Sequence, residues 1–231
     1  MSDAVAQSVS IDVGGGQRVS GLLQIPTAAR ACYVMAHGAG AGMRHPFMAA
    51  LAGDLAKRGI ATLRYQFPFM EQGSKRPDSP KVAQATVRAA VTEASRLVPR
   101  LALFAGGKSF GGRMTSQAQA ATPLPGVRGL AFVGFPLHAA GKPSEDRAAH
   151  LSAIDIPMLF LQGTRDALAE LPLIEAVASR LGRLATLKRF DDADHSFHVP
   201  AKTGRKDDDV RGALADALTT WVDIVRARDA N

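Results

Sequence analysis

The sequence predicts an α/β fold: a mostly parallel central sheet with helices on both faces, entered through an N-terminal antiparallel hairpin. Three observations predict it. Two strand-like segments flank Gly14-Gly15-Gly16, a turn signal. Short, continuous apolar runs then recur along the chain, the pattern of strands covered on both faces. Between those runs lie segments with apolar residues at helical spacing, and strict alternation of the two implies parallel strands.

Taken in order, Ser8 to Val13 alternates polar and apolar residues, and Val19 to Ile25 does so less cleanly; these are the hairpin strands. The first apolar run is Cys32 to Ala36. A helix follows on the stripe Met48, Leu51 and Leu55, with Gly59 placed to end it. Ile60 to Leu63 is the next strand. Ser79 is placed to cap a helix whose first position is Pro80 and whose buried face is Val87, Val91, Ala94 and Val98. Leu101 to Ala105, Gly129 to Val133 and Pro157 to Leu161 are further strands, and a helix is expected from about Gly111. Pro172 starts a helix that points Ile174, Val177 and Leu181 inward and stops at Gly182. Ala185 to Phe190 reads as the last buried strand. The final helix opens on Asp207 to Asp209, acids that suit the positive end of its dipole, and carries the stripe Leu214, Leu218, Trp221 and Val225. With no linker or repeat in view, one domain over 1–231 is expected. The least regular stretches, 66–78, 134–150 and 196–207, are where sites tend to sit.

Composition narrows the function classes. The 46% hydrophobic content suits a globular core, and no apolar run reaches the ~20 residues that cross a bilayer. MSDAVAQSVS has neither the basic flank nor the apolar stretch of a signal peptide. The one cysteine, Cys32, lies in an apolar run and reads as a buried structural thiol; a cytoplasmic, reduced setting is expected. The net charge of +7 is scattered among acids, with no basic helix and no aromatic–basic interleaving, so neither a nucleic-acid nor a membrane partner is expected. Histidine spacing suggests no metal site, and no cofactor is expected.

The chemistry concentrates at Ala105-Gly-Gly-Lys-Ser-Phe-Gly-Gly112, which two machines could use. Read as a phosphate loop, it would begin at Ala102 and leave almost no strand after Pro99. Leu103 and Phe104 would leave the core, forfeiting about 2 kcal/mol of burial each. The strands ending at Leu63 and Val133 also run into no acid to hold magnesium. Read as Gly107-Lys108-Ser109-Phe110-Gly111, it is a nucleophile elbow between a buried strand and a helix. The glycines clear a tight turn, the hydroxyl is exposed, and the amide of Phe110 is a donor for a developing oxyanion.

A serine needs a base, and the base needs an acid to orient it. Elbow enzymes place these in the order serine, acid, histidine, each past a strand end. Pro157 to Leu161 leads into Asp166, and Ala185 to Phe190 leads into His195. His198 is a rival base on the same loop; Asp191, Asp192 and Asp194 are rival acids. The second oxyanion donor is expected in the turn His37-Gly38-Ala39-Gly40-Ala41-Gly42, from Ala39, with Gly40 the alternative. His37 is expected to fix that turn, His45 to flank a helix start, and His138 and His150 to lie on the surface.

These pieces, with Phe67-Pro68-Phe69-Met70, Gln162-Gly163-Thr164-Arg165-Asp166 and Ala193-Asp194-His195-Ser196-Phe197, give the chain a resemblance to α/β-hydrolases over essentially its whole length. More narrowly, it resembles small dienelactone-hydrolase-related proteins and the hydrolase-like family that includes a testis-expressed protein and a chromatin acetyltransferase subunit. The resemblance implies the α/β-hydrolase fold and a Ser-Asp-His triad. Dienelactone hydrolases proper use cysteine where this chain has Ser109, so that activity is not carried over.

The expected function is hydrolysis of a carboxylic ester or thioester, with a small-molecule acyl substrate as partner. Candidate substrate contacts are Met43, Arg44, Phe67, Phe69, Met70 and Phe197; packing against neighbouring loops explains Phe67, Phe69 and Met70 equally well, and Arg44 or Arg165 could select an anion or be salt-bridged. The insert from Phe135 to about His150 is too short for a large lid, which implies a minimal cap and an open site. The alternative is a binding module that keeps the fold without catalysis.

Overall fold

A computed structural model describes residues 4–228. Strands β1 (Gln7–Gly14) and β2 (Gln17–Gln24) form the antiparallel hairpin around the glycine turn. β3 (Ala31–Ala36), β4 (Ile60–Tyr65), β5 (Ala102–Lys108), β6 (Val127–Val133), β7 (Met158–Gly163) and β8 (Ala185–Phe190) then run parallel, in the sheet order β1-β2-β4-β3-β5-β6-β7-β8. β2 pairs antiparallel with β4.

The helices are α1 (Pro46–Lys57), α2 (Pro68–Glu71), α3 (Pro80–Leu97), α4 (Phe110–Ala121), α5 (Leu171–Leu181) and α6 (Asp207–Arg228). Two apolar cores lie on opposite faces of the sheet. α1 and α6 close one, through Leu51, Leu55, Leu214, Leu218 and Trp221. α3, α4 and α5 close the other, through Val87, Val91, Met114, Ala118, Ile174 and Val177. The expected stripes are therefore the buried ones, except that Leu181 is only half-buried. Ser79 caps α3, its hydroxyl accepting from the Val82 amide at 3.5 Å.

Several local expectations are revised. β8 is not a strand covered on both faces but the sheet's edge: Thr186, Lys188 and Arg189 are exposed, while Phe190 is buried. β5 runs three residues further than expected, to Lys108, because Gly106, Gly107 and Lys108 still pair with β6. The irregular stretches contain the short helix α2 and a 3-10 segment over Asp146–Ala153. Leu103 and Phe104 lie in the core, which closes the phosphate-loop reading. Among the described residues no helix is long and apolar enough to cross a membrane. Cys32 is buried, and burial pushes its thiol up to about 12.

Tyr33 is fully buried at the centre of the sheet, and its hydroxyl donates to the Ala131 carbonyl at 2.8 Å. Tyr33→Phe keeps the ring and removes the donor. The expected loss is about 1–2 kcal/mol, seen as a Tm lower by about 2–6 °C in thermal denaturation. An unchanged Tm would show that this bond adds nothing to stability.

Candidate active site

Ser109 stands between β5 and α4 with φ 50° and ψ −116°, a conformation that L-residues rarely adopt. Neighbouring backbone forces the turn. A Cβ at Gly107 would stand 2.1 Å from the Ala36 carbonyl oxygen, and one at Gly111 would stand 2.5 Å from that of His37. Only glycine at both positions lets β5 and the start of α4 lie this close to β3. The Ser109 amide donates to the Val133 carbonyl at 3.2 Å, and its carbonyl accepts from Arg113 in the first turn of α4. The main chain is anchored on both sides, and the hydroxyl projects from the carboxyl end of the sheet.

Two other strand ends bring their side chains to it. Asp166 follows β7 and is 3% exposed. Its Oδ1 accepts from the Leu168 amide at 2.8 Å, and its Oδ2 accepts from Gln162 Nε2 at 2.6 Å. Gln162 is itself fixed, because its Oε1 accepts from the Phe135 amide at 3.0 Å. With those donors in place the carboxylate accepts from His195 as well, at 2.7 Å from Nδ1. A proton on Nδ1 leaves Nε2 as an acceptor, and Nε2 lies 2.8 Å from Ser109 Oγ. The result is an unbroken chain from a buried carboxylate through an imidazole to a hydroxyl. Such a chain can draw a proton from the hydroxyl while holding the resulting imidazolium against negative charge.

The rivals take other partners. His198 is exposed and its Nδ1 meets Asp207 at 2.7 Å; that contact raises the affinity of His198 for its proton and lowers that of Asp207. Asp194 Oδ1 accepts from the amides of Ser196 and His198 and so braces the histidine loop. Asp191 and Asp192 are exposed. His37 is fully buried; its Nε2 accepts from the Phe67 amide at 3.0 Å, which puts the proton on Nδ1 for donation to the Gly38 carbonyl at 2.7 Å. Burial lowers its proton affinity, with the Gly38 bond opposing. His45 caps α1, accepting from the Phe47 amide. His138 and His150 are not surface residues. His138 is 3% exposed, and half-buried His150 meets Ser116 Oγ at 2.7 Å, with burial pushing its imidazole down to about 4.

Ser109 and His195 open into a cavity of about 320 Å3, bounded on one side by the turn Gly38 to Ala41 and on the other by Leu168. Ala39 and Gly40 both lie on that turn, and Phe110 opens α4, where the first amides have no carbonyl within the helix. Larger hollows, of about 630 Å3 beside Asp54 and Arg211 and about 510 Å3 along Trp221 and Ile224, contain neither Ser109 nor His195.

None of the six expected substrate contacts lines this cavity. Phe67 and Phe69 are at most 2% exposed and pack edge-on against Phe110, with ring centres 5.4 and 6.2 Å away. They support the elbow from behind. Phe197 is buried between Phe47 and Phe190. Met43 is buried because its main chain is held at both ends, its amide by Gln66 and its carbonyl by Arg64. Met70 is half-buried behind Gly42, and Arg44 and Arg165 are exposed. The apolar wall of the cavity comes instead from Phe47, Met48 and Leu168. Their signal was available: the first two lie in the first turn of the helix that follows the glycine turn, and Leu168 lies two residues past Asp166. Gln162 was missed as a support for the acid although it is the penultimate residue of β7. Among the described residues no cluster of three or more His, Cys, Asp or Glu is placed to hold a metal ion.

Comparisons with known proteins agree with this architecture. The family model described as "Alpha/beta hydrolase domain" matches residues 29–223. A dienelactone hydrolase from Anabaena variabilis superposes with a TM-score of 0.76 at 22% identity, over 95% of this chain and 97% of that one. A lidless α/β serine hydrolase from Xanthomonas campestris gives 0.73 at 22%, over 94% and 95%. The esterase domain of a Rhodothermus marinus protein gives 0.71 at 16%, over 94% and 97%. Those likenesses establish the shared fold, and the family match runs from the residues before β3 into α6: this chain belongs to the alpha/beta hydrolase domain family.

Proposed function

We propose that the protein hydrolyses a carboxylic ester or thioester by way of an acyl-enzyme on Ser109. The observation that carries the reading is the pair of bonds at His195, 2.8 Å to Ser109 Oγ and 2.7 Å to Asp166 Oδ2. In the first half-reaction Ser109 Oγ bonds to the acyl carbon while His195 Nε2 takes its proton. The carbonyl electron pair moves onto oxygen, where the amides of Phe110 and Ala39 are its expected donors. The pair then re-forms the carbonyl and breaks the bond to the alcohol or thiol, which leaves with the proton from Nε2. Water repeats the sequence: its oxygen attacks the acyl carbon, His195 takes and returns one proton, and the acid departs from a restored Ser109. Asp166 keeps Nδ1 protonated and the ring in plane throughout.

The cavity supports a preference for small or flexible acyl groups. At about 320 Å3 it lies at the lower end of the ~300–1,000 Å3 common for ligand sites. Structural neighbours described as a dienelactone hydrolase and an esterase domain fit ester chemistry, with serine here as the nucleophile.

The test is a serine-reactive fluorophosphonate with peptide mapping, beside a panel of short-chain aryl esters and acyl thioesters. The expected result is one label per chain, on Ser109, and turnover that falls as the acyl chain lengthens. No label and no turnover would identify a binding module that has kept the fold.

A further inference from the structure

The lysine inside the elbow is the one charged group of that motif for which the reaction above has no use. Lys108 ends β5, directly before Ser109, and its side chain turns inward rather than to solvent. Its Nζ donates to the main-chain carbonyl of His195 at 2.6 Å and lies 5.5 Å from the centre of the Phe197 ring. Space for it depends on Gly134, where a Cβ would come within 3.0 Å of Nζ and 3.5 Å of the His195 ring. The histidine loop has other braces: the turn after β7, where the Arg165 amide donates to the Ala193 carbonyl at 2.9 Å and Asp166 meets the imidazole, the loop itself, where Asp194 accepts from Ser196 and His198, and α6, where Asp207 accepts from Val199. Lys108 adds a tie from the strand that carries the nucleophile. Phe197 holds φ at 63°, so the loop turns sharply just past the imidazole.

We propose that Lys108 is a positioning residue for the reaction assigned to Ser109: its ammonium ties the main chain of the base to the main chain of the nucleophile, and so sets the Ser109–His195 distance. The proposal rests on the hydrolase reading for its catalytic consequence, but the tether is a property of the folded chain alone. A bond from a charged donor is about twice as strong as one from a neutral donor. Deprotonation of Lys108 therefore loosens the loop without removing any reacting group. The ionisable groups that face the ammonium are Asp166, Asp194 and the His195 imidazole; the two carboxylates favour its charge, but burial prevails and pushes Lys108 down to about 8. Between that value and the ordinary lysine value the unfolded chain binds more protons than the folded one. This group's own contribution to global stability thus grows with pH over that range, and a loss of activity there does not come from unfolding driven by it.

Two measurements test the tether. The first is amide hydrogen exchange over residues 194–199, expressed as protection factors, for Lys108→Met at pH 7 and for the unaltered protein at pH 7 and 9.5. The expected result is protection lower by about tenfold or more in the variant and in the unaltered protein at pH 9.5. Protection that stays the same in the unaltered protein overturns the proposal, whether or not the variant folds and whether or not the protein is an esterase. The second is the pH profile of ester turnover. The unaltered protein should lose kcat with a midpoint near pH 8; Lys108→Met should lower kcat about 10- to 100-fold at pH 7 with KM little changed, and lack that alkaline limb. Wild-type kcat in a folded variant would refute the catalytic part. Lowered protection with no turnover by any form would leave the tether standing and remove the hydrolase reading.

Discussion

Ser109→Ala is expected to lower kcat/KM for the best ester by about 10⁴–10⁶-fold while the protein stays folded. The size follows from what is lost. His195 and Asp166 would remain in place, but with no nucleophile the acyl-enzyme cannot form, and only the oxyanion donors and bound water remain to assist attack. The fold is expected to survive because the hydroxyl bonds to the His195 imidazole and not to the scaffold: the main chain of Ser109 is what Val133 and Arg113 hold. Alanine has the same Cβ, so the strain of φ 50° is neither relieved nor increased. Steady-state kinetics, with a Tm within about 2 °C of the unaltered protein, checks both halves. Turnover retained within tenfold would assign the chemistry to another group.

Gly107→Ala is expected to damage the fold itself. The new Cβ would stand 2.1 Å from the Ala36 carbonyl oxygen and 2.7 Å from its nitrogen, at a φ of +141° that side chains rarely adopt. Neither neighbour can retreat, because Ala36 and Gly107 are partners in the register of β3 and β5 at the middle of the sheet. Backbone strain of about 1–3 kcal/mol and overpacking of similar size together make a loss of about 3–6 kcal/mol. For a chain of this length that is a Tm lower by about 10–20 °C, or insoluble expression. Gly53→Ala serves as the control. Gly53 lies inside α1 with nothing within 4 Å of its added Cβ, so the same change there should stabilise by about 0.5–1 kcal/mol. Equal effects at the two positions would refute the steric argument.

The pieces of the site that could be read from sequence are those tied to strand ends. Ser109, Asp166 and His195 each follow an apolar run, and the sheet brings strand ends to one rim whatever the intervening loops do. His37 could be read for the same reason. What escaped the sequence depends on neighbours distant along the chain. Phe67 and Phe69 look like pocket residues until Phe110 is known to pack on them. Ala185 to Phe190 looks like an interior strand until the sheet order places it last among the described strands. His138 and His150 sit in an insert that reads as surface, yet the 3-10 segment brings His150 onto Ser116 of α4, and the His138 main chain bonds to Leu168. Lys108 was informative only as a letter in two competing motifs; its partner lies 87 residues away.

The last strand has a further consequence. A sheet that ends in an unpaired strand offers its free amides and carbonyls to any passing chain as a template for edge-to-edge growth. Here the rim carries Lys188 and Arg189, both exposed and the second paired with Glu175 at 2.8 Å, so another copy would have to dehydrate charged side chains before the first ladder bond formed. The same two side chains that stand in solvent along β8 thus discourage chains from zipping together into fibres.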